Sequence, residues 1–205
     1  MITIINYGCG NIKAIQNVFN KLSIPSKVAS SREDLAGAEK LVLPGVGAFD
    51  YAMQKLLDSG MFDSVNELVL DKKTPVIGIC VGVQLMARSS DEGKLKGLGW
   101  IDAEVKKFDE TKLSEKVSLP HMGWNDVIPT NTNPLFNELE KDAKFYFLHS
   151  YYISCNNQNQ ILAKSNYAGD FVCAVNNENV FGVQFHPEKS HHFGVKLLEN
   201  FARKV

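Results

Sequence analysis

The chain has 205 residues, of which 44% are apolar, 10% aromatic and 22% charged, the make-up of an ordinary globular protein able to bury one core. Its 22 basic and 23 acidic residues leave a formal net charge of -1; with no field to gather a polyanion, nucleic acid is excluded as an expected partner. No apolar run approaches the length of a membrane span, and Met1 leads into Ile2-Thr3-Ile4-Ile5, a strand pattern rather than a charged-then-apolar leader, so the expectation is one cytoplasmic domain over 1–205.

In chain order, Ile2 to Asn6 reads as a β-branched strand. Gly8-Cys9-Gly10 follows, and then apolar residues at Ile12, Ile15, Val18, Phe19 and Leu22 give the spacing of a helix over Asn11 to Leu22. Glycines between strand and helix can cradle a dinucleotide, but Lys13 stands where the third glycine of G-x-G-x-x-G is needed, so no such cofactor is expected. Lys40 to Leu43 is the next strand and opens into the glycine-bracketed turn Pro44-Gly45-Val46-Gly47. Phe49 to Leu70 holds one or two helices, and Val76 to Ile79 is a further strand. This alternation predicts parallel α/β units whose crossover helices cover the sheet.

From Glu104 to Gln184 the runs shorten and turns separate them. Val180 to Phe185, preceded by Asn176-Asn177-Glu178-Asn179, reads as half of an antiparallel hairpin. Phe145, Tyr146, Phe147, Tyr151 and Tyr152 flank His149-Ser150 and alternate like a pair of core strands. An amphipathic helix over Ser190 to Lys204 closes the chain. The two halves are expected to share one central sheet, in a single three-layer α/β domain with a mixed, mostly parallel sheet.

Cys80 lies in Gly78-Ile79-Cys80-Val81-Gly82, between a predicted strand and a predicted helix. A cysteine on such a turn is held with its sulfur exposed, flanking glycines let the two backbones approach, and the helix N-terminus favours the thiolate. A nucleophilic thiol needs a base, and the base needs an orienting group. His186-Pro187-Glu188 supplies both, because residues two apart in extended chain project to one side and Pro187 fixes the φ between them. Acyl transfer also needs oxyanion donors. The Val81 N–H is one, and the Gly45-Val46-Gly47 turn offers another.

The four cysteines (Cys9, Cys80, Cys155, Cys173) are widely spaced, with no C-x-x-C pair, and reduced thiols are expected. His186, Glu188, His191 and His192 do not make the helical H-E-x-x-H arrangement, since Pro187 interrupts it; no metal is expected, and His191 and His192 read as surface residues of a helix's first turn.

These motifs, with Asn6-Tyr7-Gly8-Cys9-Gly10-Asn11, Glu92-Gly93, Pro120-His121-Met122-Gly123-Trp124-Asn125, Phe147-Leu148-His149-Ser150-Tyr151 and Gln184 to Ser190, run nearly end to end, and the chain resembles the class I (triad) glutamine amidotransferases. Val81 and Val83 stand where leucine and methionine are common in that family's elbow, a swap that keeps apolar character. The resemblance implies a flavodoxin-like fold, no cofactor, and L-glutamine as substrate. It implies Cys80, His186 and Glu188 as the triad, and Val81 with Gly45, Val46 and Gly47 as the oxyanion hole. It places Gln84, Glu92, Ser150 and Tyr151 around the substrate's amino-acid end. The first and third motifs point within the family to subunits that pass ammonia to a (β/α)8 cyclase in a heterodimer, with Asn11, Met122, Trp124 and Asn125 facing that partner. Three rivals remain open at this point: paralogous subunits that supply ammonia for a surface-polysaccharide sugar, a free-standing thiol hydrolase or peptidase, and a non-catalytic binding subunit.

Overall fold

The structure, a computed structural model, describes residues 1–112 and 118–205. Its first half alternates strands and helices: β1 (Ile2–Ile5), α1 (Ile12–Lys21), β2 (Ser26–Ala29), β3 (Lys40–Gly45), α2 (Phe49–Asp58), α3 (Phe62–Asn66), β4 (Val76–Cys80) and α4 (Val81–Leu85). The second half is mostly strands: β5 (Ser89–Ser90), β6 (Ala103–Lys107), β7 (His121–Asp126), β8 (Ile128–Pro129), β9 (Lys144–His149), β10 (Tyr151–Cys155), β11 (Ile161–Asn166), β12 (Asp170–Asn177) and β13 (Val180–Val183), before α5 (His191–Lys204).

Among the described residues eleven strands form one sheet, whose main path runs β2-β1-β3-β4-β13-β12-β10-β6-β5. Its first five strands are parallel, in a doubly wound order whose binding crevice lies at the carboxyl ends of the strands. From β13 onward the sheet continues antiparallel through β12, β10 and β6. β1, β4 and β13 are buried along their whole length. Strands buried on both faces need a helical layer on each, and the helices pack as two pairs, α1 with α5 and α2 with α4. The last helix is tied back to the sheet by Lys40 of β3, whose ammonium donates to the carbonyls of Ala202 and Val205 at 2.7 Å each, satisfying C-terminal acceptors.

The two halves share the central sheet as expected, and the structure adds two features. Ser26–Ala29 carries no strand signal in sequence, yet it forms β2, because an edge strand with three half-buried positions needs no apolar alternation. The second half does not all join the central sheet: β7 and β9 pair only with each other, in a separate two-stranded antiparallel sheet. The aromatic alternation of β9 is real, with Phe145 and Phe147 buried, but β9 and β10 are not partners. The chain changes sheets at Ser150, which is how a short segment comes to line the site.

α4 sits low on the sheet. Gly78 of β4 and Gly182 of β13 are side by side in register, and together they make a shallow trough for Val83. A Cβ on Gly78 would come within 2.8 Å of the Val83 backbone, and one on Gly182 would overlap the Val83 side chain. Gly78→Ala is therefore expected to lower unfolding free energy by about 2–3 kcal/mol through overpacking, read as a drop in denaturation midpoint without change in slope; an unchanged midpoint would refute the close packing.

Candidate active site

Cys80 ends β4 and precedes the first residue of α4 with φ 54° and ψ -116°. A non-glycine residue in such a conformation carries on the order of 1–3 kcal/mol of strain and persists only where its surroundings impose it. Here the register pairs Cys80 with Gly45 of β3, and Gly82 in the first turn lies against the Leu43 carbonyl, where no Cβ would fit. The sulfur sits 3.9 Å from both the Leu148 carbonyl oxygen and the Gln184 Nε2. All four cysteines are free and buried. Burial pushes the thiols of Cys9, Cys155 and Cys173 up, and of the four only Cys80 lines the cavity at the strand ends.

His186 lines the same cavity as Cys80, and its Nδ1 is 2.9 Å from Glu188 Oε1, with the two side chains 4% and 1% exposed. The pairing does not arise from extended chain, as the sequence reading had it. Pro187–Lys189 is a 3-10 turn, and the turn itself folds Glu188 back beneath the imidazole. Ser190, fully buried, fixes this turn: its hydroxyl donates to the His186 carbonyl at 2.6 Å and accepts the Tyr146 N–H at 2.9 Å, while the His186 N–H bonds the Tyr146 carbonyl. Burial pulls the His186 pKa down, but the hydrogen bonds and charges of Cys80 and Glu188 outweigh it and raise it. Burial pulls Glu188 the other way, and the bond and charge of His186, with a bond from Asn11, hold its carboxyl below the ordinary range. The imidazole thus keeps its proton between a sulfur and a carboxylate.

The cavity has a volume of about 330 Å3, inside the range of small-molecule sites, ~300–1,000 Å3. Val46, Gly47 and Val81 line it; Val81, as the first residue of α4, has an N–H with no intrahelical acceptor. Gly45 lies just behind, packed against Val81 and Gly82. Gln84, Glu92, Ser150 and Tyr151 also line it. Glu92 accepts the Phe49 N–H at 2.9 Å, capping α2, and Asp50 accepts the Lys94 and Leu95 N–H groups, so the loop that carries Glu92 is stapled to the same helix end. Gln84 is almost fully buried and donates to the Tyr151 carbonyl at 3.2 Å and to Gln184 Oε1 at 3.1 Å.

Of the residues expected at a partner face, Met122 is 62% and Trp124 45% exposed, and the Trp124 ring stacks on His191 at 5.0 Å. Asn125 is half-buried. Asn11 lines the cavity and donates to Glu188 Oε1 at 2.9 Å, making it part of the triad's support. His191 and His192 are exposed in the first turn of α5, and the described residues hold no group of three metal-ligating side chains.

Sequence reasoning assigned no role to Tyr7, Asp50, Gln184, Ser190 or His149. Tyr7 is buried and donates to the Pro44 carbonyl at 2.6 Å, anchoring the Gly45–Gly47 turn; burial drives its pKa up, so it remains a neutral donor. Its neighbours Gly8 and Gly10 were visible signals, but the tyrosine's partner is 37 residues away.

The chain matches the glutamine amidotransferase class-I family over residues 3–205. It is 54% identical over 202 residues to the imidazole glycerol phosphate synthase subunit HisH of Bdellovibrio bacteriovorus, covering 98% of this chain and 99% of that one. It is 50% identical to the HisH subunit of Leptospira borgpetersenii at the same coverage. In fold it is similar to PurLQS of Thermotoga maritima, with TM-score 0.73, 16% identity, and coverage of 98% and 96%.

Because the Glu188 charge favours the imidazolium, Glu188→Gln should lower the His186 pKa by about a unit or more, the scale of a nearby opposite charge. The protonated form would then be lost at lower pH as pH rises. An NMR titration of the His186 ring checks this; an unmoved titration would remove Glu188 as its cause.

Proposed function

The chain belongs to the class-I glutamine amidotransferase family, and from that premise we propose that it is the glutaminase subunit of an imidazole glycerol phosphate synthase, in histidine biosynthesis. The observation that carries the reading is Cys80 and His186 lining one cavity at the sheet's carboxyl edge, with His186 hydrogen-bonded to Glu188, in a chain similar to HisH subunits over nearly its whole length.

In this reading the Cys80 sulfur attacks the side-chain amide carbon of glutamine, and its proton resides on His186. The oxyanion is met by the Val81 N–H and by the 45–47 turn that Tyr7 anchors. His186 gives its proton to the departing nitrogen, ammonia leaves, and a γ-glutamyl thioester remains. Water, deprotonated by His186, then attacks the thioester to give glutamate. Glu188 accepts the Nδ1–H throughout and stabilises the imidazolium. Glu92 pairs with the substrate ammonium, and Gln84, Ser150 and Tyr151 bound the same end of the cavity.

In this reading the ammonia acceptor is a (β/α)8 cyclase with which the chain forms a cytoplasmic heterodimer, as the similarity to HisH subunits of imidazole glycerol phosphate synthase suggests. An exposed tryptophan and methionine on one strand suit the core of such an interface. No described helix is long and apolar enough to cross a membrane.

Cys80→Ala in the complex should lose glutamine-dependent product formation by on the order of 10³-fold or more and retain synthesis from ammonium salts; product from glutamine at the normal rate would end the mechanism. Adding the cyclase with its nucleotide should also accelerate glutamine hydrolysis relative to the isolated chain, measured as glutamate release, and equal rates would contradict the pairing.

A further inference from the structure

β7 turns two faces to different surroundings. Met122 and Trp124 face solvent, while His121 is buried and stacked on Phe147 and Tyr167 with ring centroids 4.7 and 3.9 Å away. His121 lies directly across the two-stranded ladder from His149. A continuous line of hydrogen bonds passes through this pair. Asn125 Nδ2 is 3.2 Å from His121 Nε2, His121 Nδ1 is 3.0 Å from His149 Nε2, and His149 Nδ1 is 2.7 Å from the Tyr151 carbonyl oxygen. That same carbonyl receives Gln84, which bonds Gln184, which lies beside the Cys80 sulfur.

The direction of every bond in this line is determined. A carbonyl can only accept, so His149 carries its hydrogen on Nδ1. Burial lowers the pKa of His149 to about 3 and that of His121 to about 4, so both rings are neutral and the His149 Nε2 must accept. His121 therefore donates from Nδ1 and accepts at Nε2. Asn125 meets it with a donor: its Nδ2 also gives to the Asn166 carbonyl at 2.8 Å, and its Oδ1 receives the Asp126 N–H at 2.9 Å, so the amide cannot be turned over. One placement of hydrogens satisfies the whole line, and nothing in it can reverse.

The line also crosses between sheets. β7 and β9 belong to the small two-stranded sheet, whereas Tyr151 begins β10 in the central one. The ladder bonds that fix β4 and Cys80 do not fix β7.

We propose that His121 and His149 are positioning residues for glutamine hydrolysis, transmitting the seating of a protein partner on Met122 and Trp124 to the Gln84–Gln184 pair beside the nucleophile. This rests on the partner reading above. A partner that presses on one face of β7 displaces His121 on the other, and the unreversible line carries that displacement to the Tyr151 carbonyl and the amide it holds. The coupling is an equilibrium property of two distinct sites, the docking face and the glutamine pocket.

The test uses the full chain with its cyclase and two substitutions at one position. His121→Phe keeps the ring stack and removes both hydrogen bonds; His121→Asn returns an N–H at the δ position, within reach of His149 Nε2. The readout is the ratio of glutaminase kcat/KM with and without saturating cyclase, alongside the Kd of the pair. We expect His121→Phe to bind the cyclase with Kd within about threefold of the parent and to lose the ratio by about tenfold or more, the range of ordinary allosteric coupling, with His121→Asn recovering most of it. Should His121→Phe not fold, His149→Asn, which keeps the donor to Tyr151 and cuts the link to His121, reads the same ratio with the same expected loss. A parental ratio in His121→Phe or His149→Asn, or a His121→Asn no better than His121→Phe, overturns the relay. A parent protein with no stimulation at all would instead overturn the partner reading, and the relay with it.

Discussion

The backbone of Cys80 is held at φ 54° by a helix that the sheet allows to come unusually close. Where β3, β4 and β13 run side by side, Gly45, Gly78 and Gly182 leave the surface without side chains, and Val81, Gly82 and Val83 settle onto it. The strain of about 1–3 kcal/mol is borne by this packing, because relaxing Cys80 would require lifting α4 off the trough. The same contact aims the sulfur out of the strand ends and leaves the first N–H of α4 without an intrahelical partner. Nucleophile, oxyanion donor and cavity floor are consequences of one close approach.

Around this point the site is assembled from buried polar groups that bond one another. Ser190 ties the His186 turn to β9, Tyr7 ties the Gly45–Gly47 turn to β1's end, and Asp50 with the Phe49 N–H ties down the loop of Glu92. Each of these bonds is worth only about 1 kcal/mol net. Their value lies in direction, because a reaction that develops charge needs its donors aimed beforehand. Glu188 illustrates the trade: Oε1 takes both His186 and Asn11, while Oε2 is buried without a partner among the described residues. Its charge stabilises the protonated form of the imidazole it faces.

The small sheet of β7 and β9 gives the molecule two mechanical parts. β9 contributes the Leu148 carbonyl near the sulfur and the Tyr146 backbone that receives the His186 turn, while its partner β7 exposes Met122 and Trp124. Ser150, where the chain passes from this sheet to the central one, stands at the cavity wall. Substrate pocket and exposed aromatic face are thereby separated by a single strand pair.

The residues themselves determined the strand-helix alternation, the elbow at Cys80 and the pairing of a histidine with a carboxylate at 186 and 188, because these depend on periodicity, on glycine spacing and on neighbours close in the chain. Tertiary structure alone decided that His186 and Glu188 meet through a 3-10 turn, that β7 and β9 leave the central sheet, and that Asn11 supports Glu188 from 177 residues away. It alone brought Tyr7, Gln184 and His149 to the site. A buried polar side chain is defined by the partner that satisfies it, and here those partners come from strands distant in sequence, which no local pattern can record.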